Sequence, residues 1–200
     1  MGSKQIKISF TDEQVAKYNG EGYVLCFTAG VAGNTEFNVV ATADTISPVF
    51  NITWDDQFQI AATKDEFSNG VTFQNSTTPT PIQFNEVYTL PANWTDGVVS
   101  TDVLPTANSS AFVNQTTGAS AVVYKIINGK SLPFFISPYP IDTGATEVMT
   151  PKSTVALWFQ QNVETGTMVA VVKDQLSTFD FSDKSSLDLI WNGSQFVPSS

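Results

Sequence analysis

The fold is decided first by the run Tyr-Val-Leu-Cys-Phe-Thr at residues 23–28 and by the run Phe-Asn-Val-Val-Ala-Thr at residues 37–42. Both runs are rich in β-branched and aromatic residues, which fit a pleated and half-buried surface. The segment between them, residues 29–34, contains two glycines and an asparagine and is typical of a turn. The pattern therefore predicts that the two runs pair as a β-hairpin.

Short apolar runs of the same kind recur along the chain, with turn-forming residues between them. They predict strands at residues 50–54, 57–62, 71–74, 87–90, 120–127, 132–137, 154–160, 168–172, 177–181, 187–191 and 195–197, with a break at Asp55-Asp56. Helix signals are few: Thr11, with Gln14 three residues later, predicts a cap and about two helical turns, and residues 173–178 give a weaker signal. We therefore predict an all-β fold, an antiparallel β-sandwich with at most one or two short helices.

Two parts of the chain look alike. The run at residues 37–40 resembles that at 134–137, and the run that begins at Pro81 resembles that beginning at Thr178; both pairs are separated by 97 residues. A fixed separation indicates an internal duplication, although β-rich stretches also align by chance when gaps are placed freely. The predicted organisation is one domain, residues 1–200, with pseudo-repeated halves at about 20–90 and 120–197 and an irregular link at 91–119, in which Val98-Val99 and Val103-Leu104 could pair briefly.

A resemblance to known proteins rests on several of these runs. They are residues 23–27, 37–40, 155–160, 166–168 and 180–182, together with Phe50, Trp54, Phe58 and Gln59. In their order and spacing they resemble a group of small β proteins common in fungi, over most of the chain. The resemblance implies a fungal-type protein without a signal peptide. It implies no activity, cofactor or site residue.

The charge of the chain narrows the range of partners. Nineteen acidic and nine scattered basic residues give a net charge of −10, whereas nucleic-acid binding requires clustered Lys and Arg. We therefore expect no nucleic-acid partner, and docking on anionic membranes is disfavoured.

The N-terminal residues lack the apolar run of a signal peptide, so the expected location is the cytoplasm. Six Asn-x-Ser/Thr sequences, the acceptor sites for N-glycosylation, allow secretion as an alternative if a signal peptide has been removed. They begin at Asn51, Asn75, Asn93, Asn108, Asn114 and Asn192.

The residue inventory excludes many kinds of enzyme. The chain has no histidine and one cysteine, Cys26, so a Ser-His-Asp triad, a His-ligated zinc site and a thiolate metal cluster are all excluded. No glycine-rich nucleotide-binding motif is present. We expect no cofactor and no metal, and we interpret carboxylates such as Asp44, Asp55 and Asp56 as solvated turn residues rather than calcium ligands or a glycosidase pair. Cys26 lies in an apolar run and is predicted to be buried and inert.

Aromatic residues next to turns are the better candidates for function. Five of them are candidates for display on the surface: Trp54, Tyr88, Trp94, Tyr139 and Trp191. A flat ring beside amide or carboxylate groups suits sugars, which have apolar C–H faces and polar rims. The predicted ligand-binding residues are Trp94, Asn93, Asp96, Trp191 and Asn192. The alternative is that each tryptophan caps one end of the sandwich.

Three classes of function remain after these exclusions. The favoured one is a non-catalytic, lectin-like binding module for a carbohydrate or a small amphipathic ligand. Because stacking on a single ring binds weakly, tight binding would require several sites or a homo-oligomer. The alternatives are a self-assembling or pore-forming β protein, and a cyclase or isomerase that uses an apolar pocket without metal or nucleotide.

Overall fold

The computed structural model of the chain describes residues 2–33, 36–170 and 176–200. These residues form one helix and fifteen strands. The elements are β1 (Lys4–Ser9), α1 (Asp12–Gly20), β2 (Tyr23–Val31), β3 (Thr42–Asp44), β4 (Val49–Thr63), β5 (Thr80–Ile82), β6 (Glu86–Leu90), β7 (Val98–Thr101), β8 (Ser110–Asn114), β9 (Ser120–Ile127), β10 (Lys130–Ile136), β11 (Thr146–Met149), β12 (Pro151–Gln161), β13 (Ser177–Asp180), β14 (Ser186–Trp191) and β15 (Phe196–Pro198). No helix in these ranges is long and apolar enough to span a lipid bilayer.

The described strands form three sheets, which confirms the predicted all-β sandwich. The large sheet has the order β10-β9-β4-β1-β14-β15, with β5 also paired to β4, and the two smaller sheets have the orders β11-β8-β6-β7 and β13-β12-β2-β3. Most pairings are antiparallel, as predicted. Two are parallel, β1 with β14 and β6 with β8, so the sheets are mixed at these positions.

One hydrophobic core holds the three sheets together. Its buried members include Ile6 from the large sheet, Leu90 from the β6 sheet and Leu157 from the β12 sheet. Each of these side chains is inaccessible to solvent, and burying a side chain of this size contributes about 1.5–3 kcal/mol. The sheets therefore share a core instead of forming separate units.

Strand pairs connect the two predicted halves. Strand β2 pairs with β12, and β4 pairs with β9. Strand β1, which precedes the first predicted half, pairs with β14 of the second. A sheet thus contains strands from both ends of the chain, and the internal duplication stays a prediction. The irregular link predicted at 91–119 is wrong in part, because it contains the buried strand β8. Strand β7 confirms that Val98-Val99 pairs, whereas Val103-Leu104 lies in no strand. Strand β8 was not predicted, because the serine and the asparagine at its ends are typical of loops.

The predicted hairpin forms with a later partner than expected. Strand β2 pairs with β3, and Phe27 lies opposite Thr42, so the partner begins where the predicted run ends. The residues before β3 are used differently: Val39 forms an isolated bridge to Met168, and the Asn38 side chain hydrogen-bonds to Ile136. Tertiary contacts have replaced the simple hairpin over residues 37–41.

The N-terminal helix begins as the sequence predicted. The Thr11 side chain accepts a hydrogen bond from the Gln14 backbone N–H, and the Gln14 side chain accepts one from the Thr11 N–H, a reciprocal cap. The weaker helix signal at 173–178 falls partly outside the described residues. Its C-terminal part is the start of strand β13.

Cys26 lies fully buried on β2, as predicted. Burial raises the pKa of its thiol to about 12, and the charge of Asp44 acts in the same direction. Because the thiolate is the nucleophile, we expect a thiol reagent at pH 8 to label the native protein far more slowly than the protein unfolded in denaturant. Native labelling as fast as that of free cysteine would contradict this assignment.

Candidate ligand-binding site

A β-bulge in β4 creates the most distinctive polar site in the described structure. Trp54 and Phe58 of β4 both pair with β9, whereas the three residues between them, 55–57, do not. Their partners on β9 are separated by a single residue, so β4 carries two extra residues here. The Asp55 carboxylate accepts a hydrogen bond from the Gln57 backbone N–H at 3.0 Å and so holds the bulge. Bulges redirect side chains, and this one brings the Asp56 carboxylate close to two lysines.

Asp56 is shared between Lys4 and Lys125. Its Oδ2 lies 2.9 Å from the Lys4 Nζ, and its Oδ1 lies 3.4 Å from the Lys125 Nζ. Burial acts to raise the pKa of Asp56, but the hydrogen bonds and positive charges of the two lysines outweigh burial and hold that pKa below its usual value. The carboxyl group is therefore ionised at neutral pH, while a third of its side chain remains exposed.

Lys125 is the buried member of this group, with 2% of its side chain exposed. Its Nζ lies 4.4 Å from the centre of the Phe58 ring and 5.7 Å from that of Phe134. Burial lowers the pKa of Lys125 to about 8; the charge and hydrogen bond of Asp56 oppose this shift only in part. A lysine in such surroundings is a candidate functional residue.

A pocket of about 540 Å³ opens beside the bulge. Its lining combines apolar walls with amide and carboxylate groups: Asp56, Gln57, Phe58, Gln59, Pro81, Ile82, Gln83, Phe84 and Ile126. The rings of Phe58 and Phe84 are 5.9 Å apart and inclined by 38°. This volume lies within the range of roughly 300–1,000 Å³ that is usual for small-ligand sites, and such sites also place a few polar groups in an apolar lining.

The first group of predicted site residues, around Trp94, does not line this pocket. The Trp94 backbone has a left-handed φ of 60°, its ring packs partly against the core, and the Lys64 Nζ lies 5.1 Å from the ring centre. Asn93 accepts hydrogen bonds from Thr95, and Asp96 accepts one from the Thr78 N–H. Asn93 thus stabilises its own loop, and Asp96 ties that loop to the segment before β5.

The second group, Trp191 and Asn192, is also engaged within the fold. The Trp191 Nε1–H donates to the Tyr18 hydroxyl at 2.8 Å, and its ring meets Phe159 edge-on with the ring centres 5.2 Å apart. The Asn192 side-chain oxygen accepts hydrogen bonds from Ser194 and from the Gln195 N–H. Trp191 therefore packs helix α1 against the sheet, which matches the alternative interpretation that a tryptophan caps one end of the sandwich.

The remaining display candidates divide into two cases. Trp54 and Tyr88 are buried, so the prediction that they are displayed is wrong: both are inward-facing strand residues whose rings pack in the core. Tyr139 is 79% exposed, as predicted. Phe58 and Phe84 were not predicted as site residues, because both resemble ordinary strand or core residues. The only signal for the site was the break at Asp55-Asp56, which marks the bulge.

Comparisons with protein families, with curated proteins and with solved structures give no match.

Proposed function

We propose that this protein is a non-catalytic binding module whose pocket beside the β4 bulge takes a small amphipathic ligand, with a neutral sugar ring as the ligand class. One observation carries the proposal. The pocket places the aromatic pair Phe58 and Phe84 next to an ionised, partly exposed carboxylate, Asp56, and next to glutamine side chains.

Each part of the pocket has a counterpart on a sugar. The apolar C–H face of a sugar ring packs on an aromatic face. Sugar hydroxyls lose hydrogen bonds to water when they enter a site and need replacement partners. Asp56 is an acceptor for such hydroxyls, and Lys4 already holds it in place. The amides of Gln57 and Gln83 offer both donors and acceptors.

The openness of the pocket favours binding over catalysis. Phe84 keeps 39% of its surface exposed, so this wall of the pocket faces solvent. A cyclase or isomerase acting on an apolar substrate would need an enclosed site that excludes water. Contact with one aromatic wall contributes about 1 kcal/mol, so a single pocket would bind weakly. Tight binding would come from several pockets in a homo-oligomer.

The test compares glycan-array binding of the wild type with that of Phe84→Ala. Because Phe84 is partly exposed, its truncation should leave the fold intact and weaken binding about fivefold, the equivalent of one lost stacking contact. Tyr139→Ala is the matched control, because it removes an exposed aromatic ring that does not line the pocket. Its binding should equal that of the wild type.

Two further variants examine the site predicted from sequence. Trp94→Ala and Trp191→Ala should retain glycan binding wherever they remain folded. Binding lost with Trp94→Ala but kept with Phe84→Ala would place the ligand at the Trp94 loop instead of the pocket. If the wild type binds no glycan at all, the carbohydrate proposal fails.

A further inference from the structure

Lys125 is the most unusual buried polar group in the described part of the chain. It lies on β9 directly opposite Phe58 of β4, so the two side chains share one face of the sheet. The rings of Phe58 and Phe134 contact its ammonium group, and Asp56 is its one ion-pair partner among the described residues. A well-packed apolar side chain at such a position is often neutral or stabilising. A lysine here is therefore poorly explained by stability.

The ammonium group is separated from the pocket by one layer of side chains. Asp56 and Phe58 both contact the Lys125 Nζ, and both line the pocket. Asp56 lies closer to Lys4 than to Lys125, at 2.9 Å against 3.4 Å. Lys125 itself does not line the pocket. A ligand in the pocket reaches its amine by displacing the Asp56 carboxylate, whose shorter contact is with Lys4.

The amine also has the right protonation state for nucleophilic chemistry. Burial lowers the pKa of Lys125 to about 8, so near that pH about half of the molecules carry the neutral amine. An exposed lysine, with a pKa of about 10.4, is neutral in less than about 1% of molecules at pH 8. Desolvated lysines of this kind form imines with carbonyl compounds.

We infer that Lys125 forms a reversible imine with a small aldehyde or ketone held in the pocket beside Asp56. The Nζ lone pair attacks the carbonyl carbon, and the π electrons move to the carbonyl oxygen. Asp56 takes a proton from the nitrogen and returns it to that oxygen, which gives a carbinolamine. The hydroxyl group takes a proton from solvent and leaves as water, while the nitrogen lone pair forms the C=N bond. The second proton of the nitrogen then returns to solvent. Water reverses the sequence, so no oxidant or reductant is needed.

The experiment traps this imine in the native full-length protein. Glyceraldehyde and sodium cyanoborohydride at pH 8 should convert it to a stable secondary amine, which peptide mapping by mass spectrometry locates. We expect initial labelling of Lys125 to be about tenfold or more faster than that of the exposed Lys7 and Lys130, because of its larger neutral fraction. Labelling of Lys7 and Lys130 with none at Lys125 would overturn the inference.

Two controls separate specific reaction from general amine chemistry. Lys125→Met should lose only the Lys125 adduct, and denaturant should abolish the preference for Lys125 in the wild type. The labelling rate of Lys125 should level off above pH 8, whereas that of the exposed Lys130 should keep rising with pH. Besides its aromatic neighbours, Lys125 faces the charged groups Lys4, Asp55 and Asp56. A rate that follows the Lys130 profile would also overturn the inference.

The inference rests on the pocket of the proposed function but not on its carbohydrate ligand. Trapping at Lys125 without glycan binding would refute the carbohydrate proposal and leave the imine site standing. Glycan binding without trapping would do the reverse.

Discussion

Replacement of Asp56 by alanine is expected to lower the free energy of unfolding by about 3 kcal/mol at pH 7, the low end of the range for breaking a buried ion pair. The loss of stability comes from Lys125, the buried partner of Asp56, rather than from Asp56 itself. Lys125 keeps only 2% of its side chain exposed, so without Asp56 its charge is left in the protein interior with aromatic rings as its remaining contacts. Urea unfolding at constant pH measures the effect.

The matched control is Asp183→Ala, which removes an exposed carboxylate from a loop. It should change stability by less than about 0.5 kcal/mol. Lys125→Met should be neutral or stabilising, and it should reduce the cost of Asp56→Ala when the two are combined, because no buried charge is then left unpaired. Equal losses for Asp56→Ala and Asp183→Ala would show that the cluster around Asp56 is not a buried ion pair.

The difference in the free energy of unfolding between the wild type and Lys125→Met should depend on pH. The pKa of Lys125 is lowered to about 8 in the folded protein, whereas an unfolded lysine titrates near 10.4. Between about pH 8 and pH 10.4 the unfolded state binds more protons than the folded state. The free energy of unfolding of the wild type therefore rises with pH relative to that of the variant. The cost of the buried charge is fully present below pH 8 and disappears towards pH 10.4. An advantage of Lys125→Met should therefore shrink across this window.

Asn38→Ala is expected to lower the free energy of unfolding by about 3 kcal/mol, since two buried backbone groups lose their partners at about 1–3 kcal/mol each. The Asn38 Nδ2 donates to the Ile136 carbonyl at 2.7 Å, and the Ile136 N–H donates to the Asn38 Oδ1 at 3.2 Å. Both residues are buried. The asparagine side chain thus acts as a neighbouring strand for the last residue of β10.

Asn69→Ala is the control for this substitution. Asn69 is exposed and accepts one backbone hydrogen bond, from the Ala170 N–H. Its loss should cost about 1 kcal/mol. A similar loss for both variants would mean that the buried pairing of Asn38 contributes nothing beyond an ordinary surface hydrogen bond.

Much of the fold was predictable because its signals are local. Runs of β-branched and aromatic residues predicted most strands, and the reciprocal contacts of Thr11 and Gln14 were readable from their spacing. Strand β8 in the link at 91–119 was harder to predict, since it has only five residues and ends in a loop-like serine and a loop-like asparagine. Its burial depends on β6 and β11, which pair with it from both sides.

The pocket could not be predicted in the same way, because register brings its parts together. Phe58 and Phe84 lie 26 residues apart in the sequence, and their approach depends on the pairing of β4 with β5. Trp191 shows the converse. Its turn-forming neighbours suggested exposure, but its ring hydrogen-bonds to Tyr18, 173 residues earlier in the chain. Local sequence carries no information on such a contact.

The position of β1 within the large sheet has a consequence for synthesis. β1 is paired on one side with β4 and on the other, in parallel, with β14. The first of these partners leaves the ribosome early, but the second ends at Trp191. Translation at about 5–20 residues per second leaves the other edge of β1 open for on the order of ten seconds. An open strand edge is a template for pairing with other chains, so nascent chains on crowded polysomes are most exposed to aggregation during this interval.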